Sequence, residues 1–495
     1  MEPRTRLFWG TSTLEKQDNK NTLIRRCTAS GFMAYWREVN LRQKLAVSFM
    51  SDNTLNLLDD LVKSAMKLGA DAADAVAVDA RSKGVSWREG KLEDVDAAEG
   101  EDIGLRVMFG KRQAMVSTSD RRPDNLKTLV ERAGAMARAV PEDEYCGLAP
   151  EDRLAHGPYP DLELYDDTDI SADALKEIAA EAEAAARSVA GVTNTDGAGA
   201  GASSWAISLI TSHGFSGHYK GSSFSASISA VAGEGTAMER DYDFSSKRHY
   251  ADLDSPARIG RKAGELAVGR LNPGRAPNNM MPLVFDPRIA KSMLGHLSGA
   301  ISGTSVARGT SFLKDQIGEA IFGPGVSIID DPFIKRGLSS KLFDGEGVAM
   351  KKSALIEDGT LKSWLLNSAA ARQLGLEVTG HASRGTSGAP GISCSNLYME
   401  AGTLSPQELM ADISEGIFIT ELIGMGVNAV TGDYSRGASG FMIRNGVMAE
   451  SVSEFTIAGN LKDMFSTLVP ASDLEMKYGV NTPTIRIDGM MVASA

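Results

Sequence analysis

Asp286-Pro287-Arg288-Ile289-Ala290-Lys291-Ser292-Met293-Leu294-Gly295-His296-Leu297-Ser298-Gly299-Ala300-Ile301-Ser302-Gly303-Thr304-Ser305-Val306-Ala307-Arg308-Gly309-Thr310-Ser311-Phe312-Leu313 follows the apolar run Leu283-Val284-Phe285. Aspartate before proline starts a helix well, because proline at the first helical position gives up only an amide that had no partner. Ile289, Met293, Leu294 and Leu297 then recur at helical spacing. A short strand therefore feeds a helix carrying Gly295-His296-Leu297-Ser298-Gly299-Ala300, and after Gly303 the chain turns toward Arg308-Gly309-Thr310-Ser311.

The sequence before this helix alternates short strands and helices. A helix opens near Ser51 and Asp52, with Leu55, Leu58, Val62, Ala65 and Met66 on one face. Strands are expected at 75–78, 85–88, 103–109 and 113–117, with Gly110-Lys111-Arg112 as a hairpin turn. Helices follow at 123–140 and 171–189, the second with a solvated charged face. Further strands at 205–210 and 224–229 flank His213 and His218, and a helix at 255–271 ends at Asn272-Pro273-Gly274. The second half is β structure punctuated by glycine. Hairpins are expected at Glu357-Asp358-Gly359-Thr360 and Arg444-Asn445-Gly446-Val447, with short helices at 363–374 and 405–413. Together these predict an α+β fold: an N-terminal α+β domain over 50–275 with an antiparallel sheet and helices, and a mostly β domain over 276–495. Residues 1–49 are basic and aperiodic, and read as a disordered extension or a misassigned start before Met50.

The 495 residues carry a net charge of −12, which disfavours binding to phosphate backbones and so to nucleic acid. No run of about 18 apolar residues occurs, so no membrane helix is expected. Cys27, Cys146 and Cys394 form neither a metal spacing nor a disulfide framework, which fits a reducing cytoplasm. His213 and His218 lie five apart, and His296 and His381 are the other pair that could join at a metal; all four also read as ordinary polar positions. Cys394 would need a histidine in reach of a low-pKa thiol to act as a nucleophile, and otherwise reads as a buried cysteine.

The helix at 286–300, the block from Thr420 through Tyr434-Ser435-Arg436-Gly437 to Phe441, and the later Val452-Ser453-Glu454 and Thr456-Ile457-Ala458-Gly459-Asn460 resemble the TldD/PmbA family of metallopeptidases, in its PmbA/TldE branch. The likeness covers nearly all of the chain after Met50. In the family's catalytic branch the helix reads His-Glu-x-x-x-His and holds a metal, and a cysteine near the C-terminus completes the ligands. The resemblance places Gly295, His296 and Ala300 at the motif positions and Tyr478 near the cysteine. It thus implies a chain with no metal of its own, since neither glycine nor alanine ligates zinc and a catalytic zinc needs about three protein ligands. It further implies a cytoplasmic subunit partnered by a TldD-type catalytic homologue that carries the zinc, with an unfolded peptide or peptide precursor as substrate. His296, Arg308, Thr310, Tyr434 and Arg436 are the expected contacts to substrate or partner. The dense glycines would also let an extended peptide approach the backbone closely. Two other classes stay open: a self-sufficient peptidase using an unforeseen metal site or Cys394, and a homodimeric peptide-binding regulator.

Overall fold

The computed structural model describes residues 53–494; the extension at 1–49 and the capping residues Ser51 and Asp52 lie outside the described residues. The first helix, α1, spans residues 53–67. Leu58, Leu61, Val62 and Ala65 form its buried stripe. Met66, expected on that face, is 37% exposed, because position 66 lies a further 100° round the helix from Ala65.

Six antiparallel strands follow: β1 (Ala72–Arg88), β2 (Lys91–Phe109), β3 (Arg112–Thr118), β4 (Val192–Thr211), β5 (Ser216–Ala232) and β6 (Glu239–Lys247), in the order β3-β2-β1-β4-β5-β6. The strands expected at 75–78 and 85–88 are the two ends of the single β1. The charged stretch Lys91–Asp102, not expected as a strand, pairs with β1 although its side chains are exposed on both faces. Backbone pairing there runs past the core, so no hydrophobic alternation marks it.

Helices α2 (Pro123–Ala139), α3 (Ala172–Arg187) and α4 (Pro256–Gly269) cover the sheet in two clusters: α1 and α2 over one half, α3 and α4 over the other. Ser171 caps α3 by accepting from the Ala174 amide. The solvated face expected for α3 has an exception. Glu183 is buried, and its carboxylate accepts from the amides of Glu89 and Gly90 (2.7 and 2.8 Å) and from the Thr195 hydroxyl (2.6 Å). It ties the β1–β2 turn to β4.

The C-terminal half contains a ring of five strands. β7 (Asn279–Phe285), β8 (Glu415–Val427), β9 (Asp433–Arg444), β10 (Val447–Asn460) and β11 (Ile485–Ser494) pair in the order β11-β7-β8-β9-β10. β10 closes on β11 through Phe455–Ala458 against Met491–Ser494, which leaves these strands without a free edge along the seam. β7 and β8 are parallel; the other pairs in the ring are antiparallel. At Gly440 the neighbouring strand comes so close that a Cβ would lie 2.1 Å from the Phe418 carbonyl oxygen. Asn445 (φ 51°) and Gly446 (φ 80°) make the β9–β10 turn as the sequence predicts. A second, five-stranded sheet of short segments includes Ile328–Asp331, Asn396–Met399 and Val480–Asn481.

β7 leads into α5 (Pro287–Ala300), and a short α6 (Gly303–Ala307) replaces the plain turn expected after Gly303. The helix expected at 363–374 begins only at Ser368, where the Asn367 side chain caps the Ala370 amide. Trp364, Leu365 and Leu366 before it are buried without helical structure, and their apolar run mimicked a helix face. The helix expected at 405–413 spans Pro406–Met410, opened by a capping box between Ser405 and Glu408. The largest core joins residues of the first sheet, the ring and α5. The fold is α+β throughout, as the sequence predicts.

Candidate functional site

α5 carries two stripes. Ala290, Met293, Leu294, Leu297 and Ala300 are buried and fix the helix in the core. Arg288, Lys291, Ser292, Gly295 and Ser298 form the opposite stripe and line a cleft of about 760 Å3. The start of the helix is set by Asp286, which accepts from the Arg288 amide at 2.8 Å, and by Pro287 at the first helical position. The other walls of the cleft are Ile392–Ser395, Leu422 and Arg436, and Tyr478–Val480. Two smaller cavities, of about 250 and 270 Å3, share Tyr478 with it and run toward β6 and residues 334–338.

The expected site residues separate into groups. Gly295 faces the cleft. His296 turns to the flank of α5 and packs edge-on against Tyr434, with ring centroids 5.9 Å apart at 79°. Ala300 is 4% exposed and belongs to the core. Thus the three motif positions do not converge on one open face. Tyr434 and Arg436 stand two apart on β9 and so share a face of it. Tyr434 is buried and its hydroxyl has no partner among the described residues; burial raises its pKa. Burial, and then the positive charge of Arg436, lower the pKa of His296, whose Nε2 is also unpartnered. Tyr478 lines the cleft, and burial pushes its pKa up to about 12. Arg308 and Thr310 are exposed beyond α6, where the Thr310 amide and hydroxyl donate to the Ser305 carbonyl. The structure brings His296, Tyr434 and Arg436 together, and leaves Arg308 and Thr310 outside the cleft lining.

The other histidines are held singly. His213 bonds Thr211 Oγ1 and the Ala149 carbonyl, each at 2.8 Å, and His218 bonds Ser208 Oγ at 2.9 Å. His381 is buried between Thr379 Oγ1 (2.8 Å) and Asp330 (3.3 Å). Cys394 reaches the cleft wall, but burial raises its pKa far above the range of a reactive thiol. Among the described residues, no three His, Cys, Asp or Glu side chains gather as a metal site. The cleft lining holds one cysteine and no histidine, aspartate or glutamate. Its donor set therefore does not fit a catalytic zinc such as the family's catalytic branch would hold.

Sequence reasoning overlooked Lys291 and Ser292. Lys291 Nζ sits 3.9 Å from the centre of the Tyr478 ring, and burial, then Arg288, lower its pKa. The signal was available: 288, 291, 292 and 295 recur at the same helical spacing as the core stripe, on the opposite side.

α5 thus turns one stripe to the core and the other to a cleft beside a closed strand ring, and that cleft holds no metal-ligand set. Profiles of the PmbA/TldA metallopeptidase match in three parts: domain 1 at 73–137, the central domain at 165–271 and the C-terminal domain at 278–494. The chain belongs to the PmbA/TldD family. It is 35% identical to the Metalloprotease PmbA of Escherichia coli over 88% of this chain and 96% of that protein. It is also 35% identical to the PmbA homologue of Haemophilus influenzae, over 87% and 94%. The crystal structure of TldE from Thermococcus kodakarensis shares the fold, with a TM-score of 0.80 and 24% identity over 88% of this chain and all of that one. No helix among the described residues is long and apolar enough to cross a membrane.

Proposed function

We propose that this chain is a PmbA/TldE-type subunit of a cytoplasmic metallopeptidase assembly, itself non-catalytic, that docks on a zinc-bearing TldD-type homologue and holds unfolded peptides in the cleft over α5. The observation that supports it is the lining of that cleft: hydroxyls, cations and apolar side chains, with no carboxylate and no imidazole among them. The raised thiol pKa of Cys394, and the engagement of both His381 ring nitrogens by Thr379 and Asp330, speak against a cysteine peptidase.

The test is reconstitution. The purified chain is mixed with a TldD-type homologue and assayed on an unstructured peptide. The expected result is a complex of defined stoichiometry whose peptidase activity exceeds that of the homologue alone, and zinc in the isolated chain below about a tenth of an equivalent. Cleavage by the isolated chain, or a homologue indifferent to its addition, refutes the reading.

A further inference from the structure

The cleft over α5 is lined by three cations, Arg288, Lys291 and Arg436, and by no acid, in a chain whose net charge is −12. Arg288 is already neutralised: it pairs with Asp241 at 2.8 Å and with Asp286 at 3.3 Å. The other two are not. Lys291 lies over the Tyr478 ring, and no carboxylate pairs with it among the described residues. Arg436 donates to the Ile423 carbonyl, at 3.4 Å, and likewise pairs with no carboxylate among the described residues. The two stand on different elements, α5 and β9, and face one cavity. Lys291 and Arg436 are each half-buried, and a cation drawn partly from bulk water is ordinarily paired, because desolvation of a lone charge is costly. Ser292 Oγ, on the same helical stripe as Lys291, is also buried without a partner. The rest of the wall is mixed: Ile289, Ile392, Leu397, Leu422 and Val480 make its apolar part, and Ser298, Ser339, Ser393 and Ser395 add hydroxyls.

We infer that this cleft is a carboxylate site: Lys291 and Arg436 are the counter-charges for an anionic group on a peptide whose apolar side chains lie against the apolar part of the wall. The carboxylate comes from the peptide's free C-terminus or from an acidic side chain. The cavity, about 760 Å3, has the volume of a site for a short peptide segment. The inference rests on the proposal that peptides are held in this cleft, and adds the charge class of those peptides.

Fluorescence anisotropy on the full chain tests it, with one fluorescein-labelled octapeptide in four forms: free C-terminus, C-terminal amide, two internal glutamates with the amide, and glutamines at those positions with the amide. The expected result is binding about tenfold tighter for at least one carboxylate-bearing form than for its neutral twin, weakening as salt is raised. Lys291→Gln and Arg436→Gln should each erase most of that difference, Lys291→Arg should keep it, and the surface variant Lys362→Gln should not change it. The free C-terminus form identifies the terminal carboxylate as the source; the glutamate form identifies a side chain. Equal affinity for charged and neutral forms overturns the carboxylate site and leaves peptide holding intact. Failure of every form to bind, with or without the catalytic homologue, overturns both. Circular dichroism spectra matching the parent show that each variant folds.

Discussion

A buried carboxylate and a half-buried histidine make opposite demands on their surroundings. Glu183 satisfies three donors at once, from Glu89, Gly90 and Thr195, and although burial opposes it those hydrogen bonds lower its pKa. Glu183→Ala leaves all three without an acceptor and should cost about 2–4 kcal/mol in urea unfolding. His296 has no such partner at Nε2 and is kept neutral by burial and by Arg436. Its pKa falls from an ordinary value of 6.5. Above that pH both folded and unfolded chains hold a neutral ring. As pH falls below it the unfolded chain takes up the proton first, so stability present at neutral pH is lost down through the folded pKa. Thermal unfolding between pH 7.5 and 5 should therefore show the wild type losing more stability than His296→Phe, which has no ring to protonate. Parallel pH profiles for the two would count against the unpartnered neutral ring.

The elements differ in how far local sequence reveals them. Asp286-Pro287 announced α5, and Asn445-Gly446 announced the β9–β10 turn, because capping and positive φ are set by a few neighbouring residues. The cores of β1 and β2 showed in Ala75–Val78 and Ile103–Phe109, where side chains are buried. The outer half of the β1–β2 hairpin did not, since Lys91–Asp102 is held by backbone pairing and carries no apolar pattern. Closure of the strand ring was equally hidden: the pairing of Phe455–Ala458 with Met491–Ser494 joins segments that no local motif links. At the candidate site the sequence named His296, Tyr434 and Arg436, which lie together at the flank of α5, but also Arg308 and Thr310, which lie apart from them, and the unpaired state of Lys291 depends on which acids lie elsewhere in the fold. The ring also has a point of close approach at Gly440, where a Cβ would meet the Phe418 carbonyl at 2.1 Å. Gly440→Val should push β8 and β9 apart and cost roughly 3 kcal/mol or more, read as a lower midpoint in urea. A change below about 0.5 kcal/mol would mean the strands yield without strain.

At the scale of the molecule, protection should follow layering rather than sequence. Backbone amides of the strand ring and of α5 lie within the largest core, whereas the outer part of the β1–β2 hairpin is exposed on both faces. Native-state hydrogen exchange should be slowest in Leu283–Phe285 and Ile417–Ile419 and faster by orders of magnitude in residues 92–101. Uniform exchange across both would indicate a single cooperative unit. The closed ring has a mechanical consequence as well. The last strand pairs with β7 over Ile485–Ile487 and Met490–Val492 on one side and with β10 over Met491–Ser494 on the other, with Met280 opposite Met491 on one flank and Ile457 opposite Val492 on the other. A pull beyond Ser494 would load those two ladders together, in shear, and extraction would wait on the rupture of both. A pull at α1, whose buried stripe belongs to a smaller core, would peel one helix at a time. A tethered molecule stretched from its two ends should thus yield first at the amino-terminal side, and a motor protein threading the chain would meet its greatest resistance at the carboxyl end.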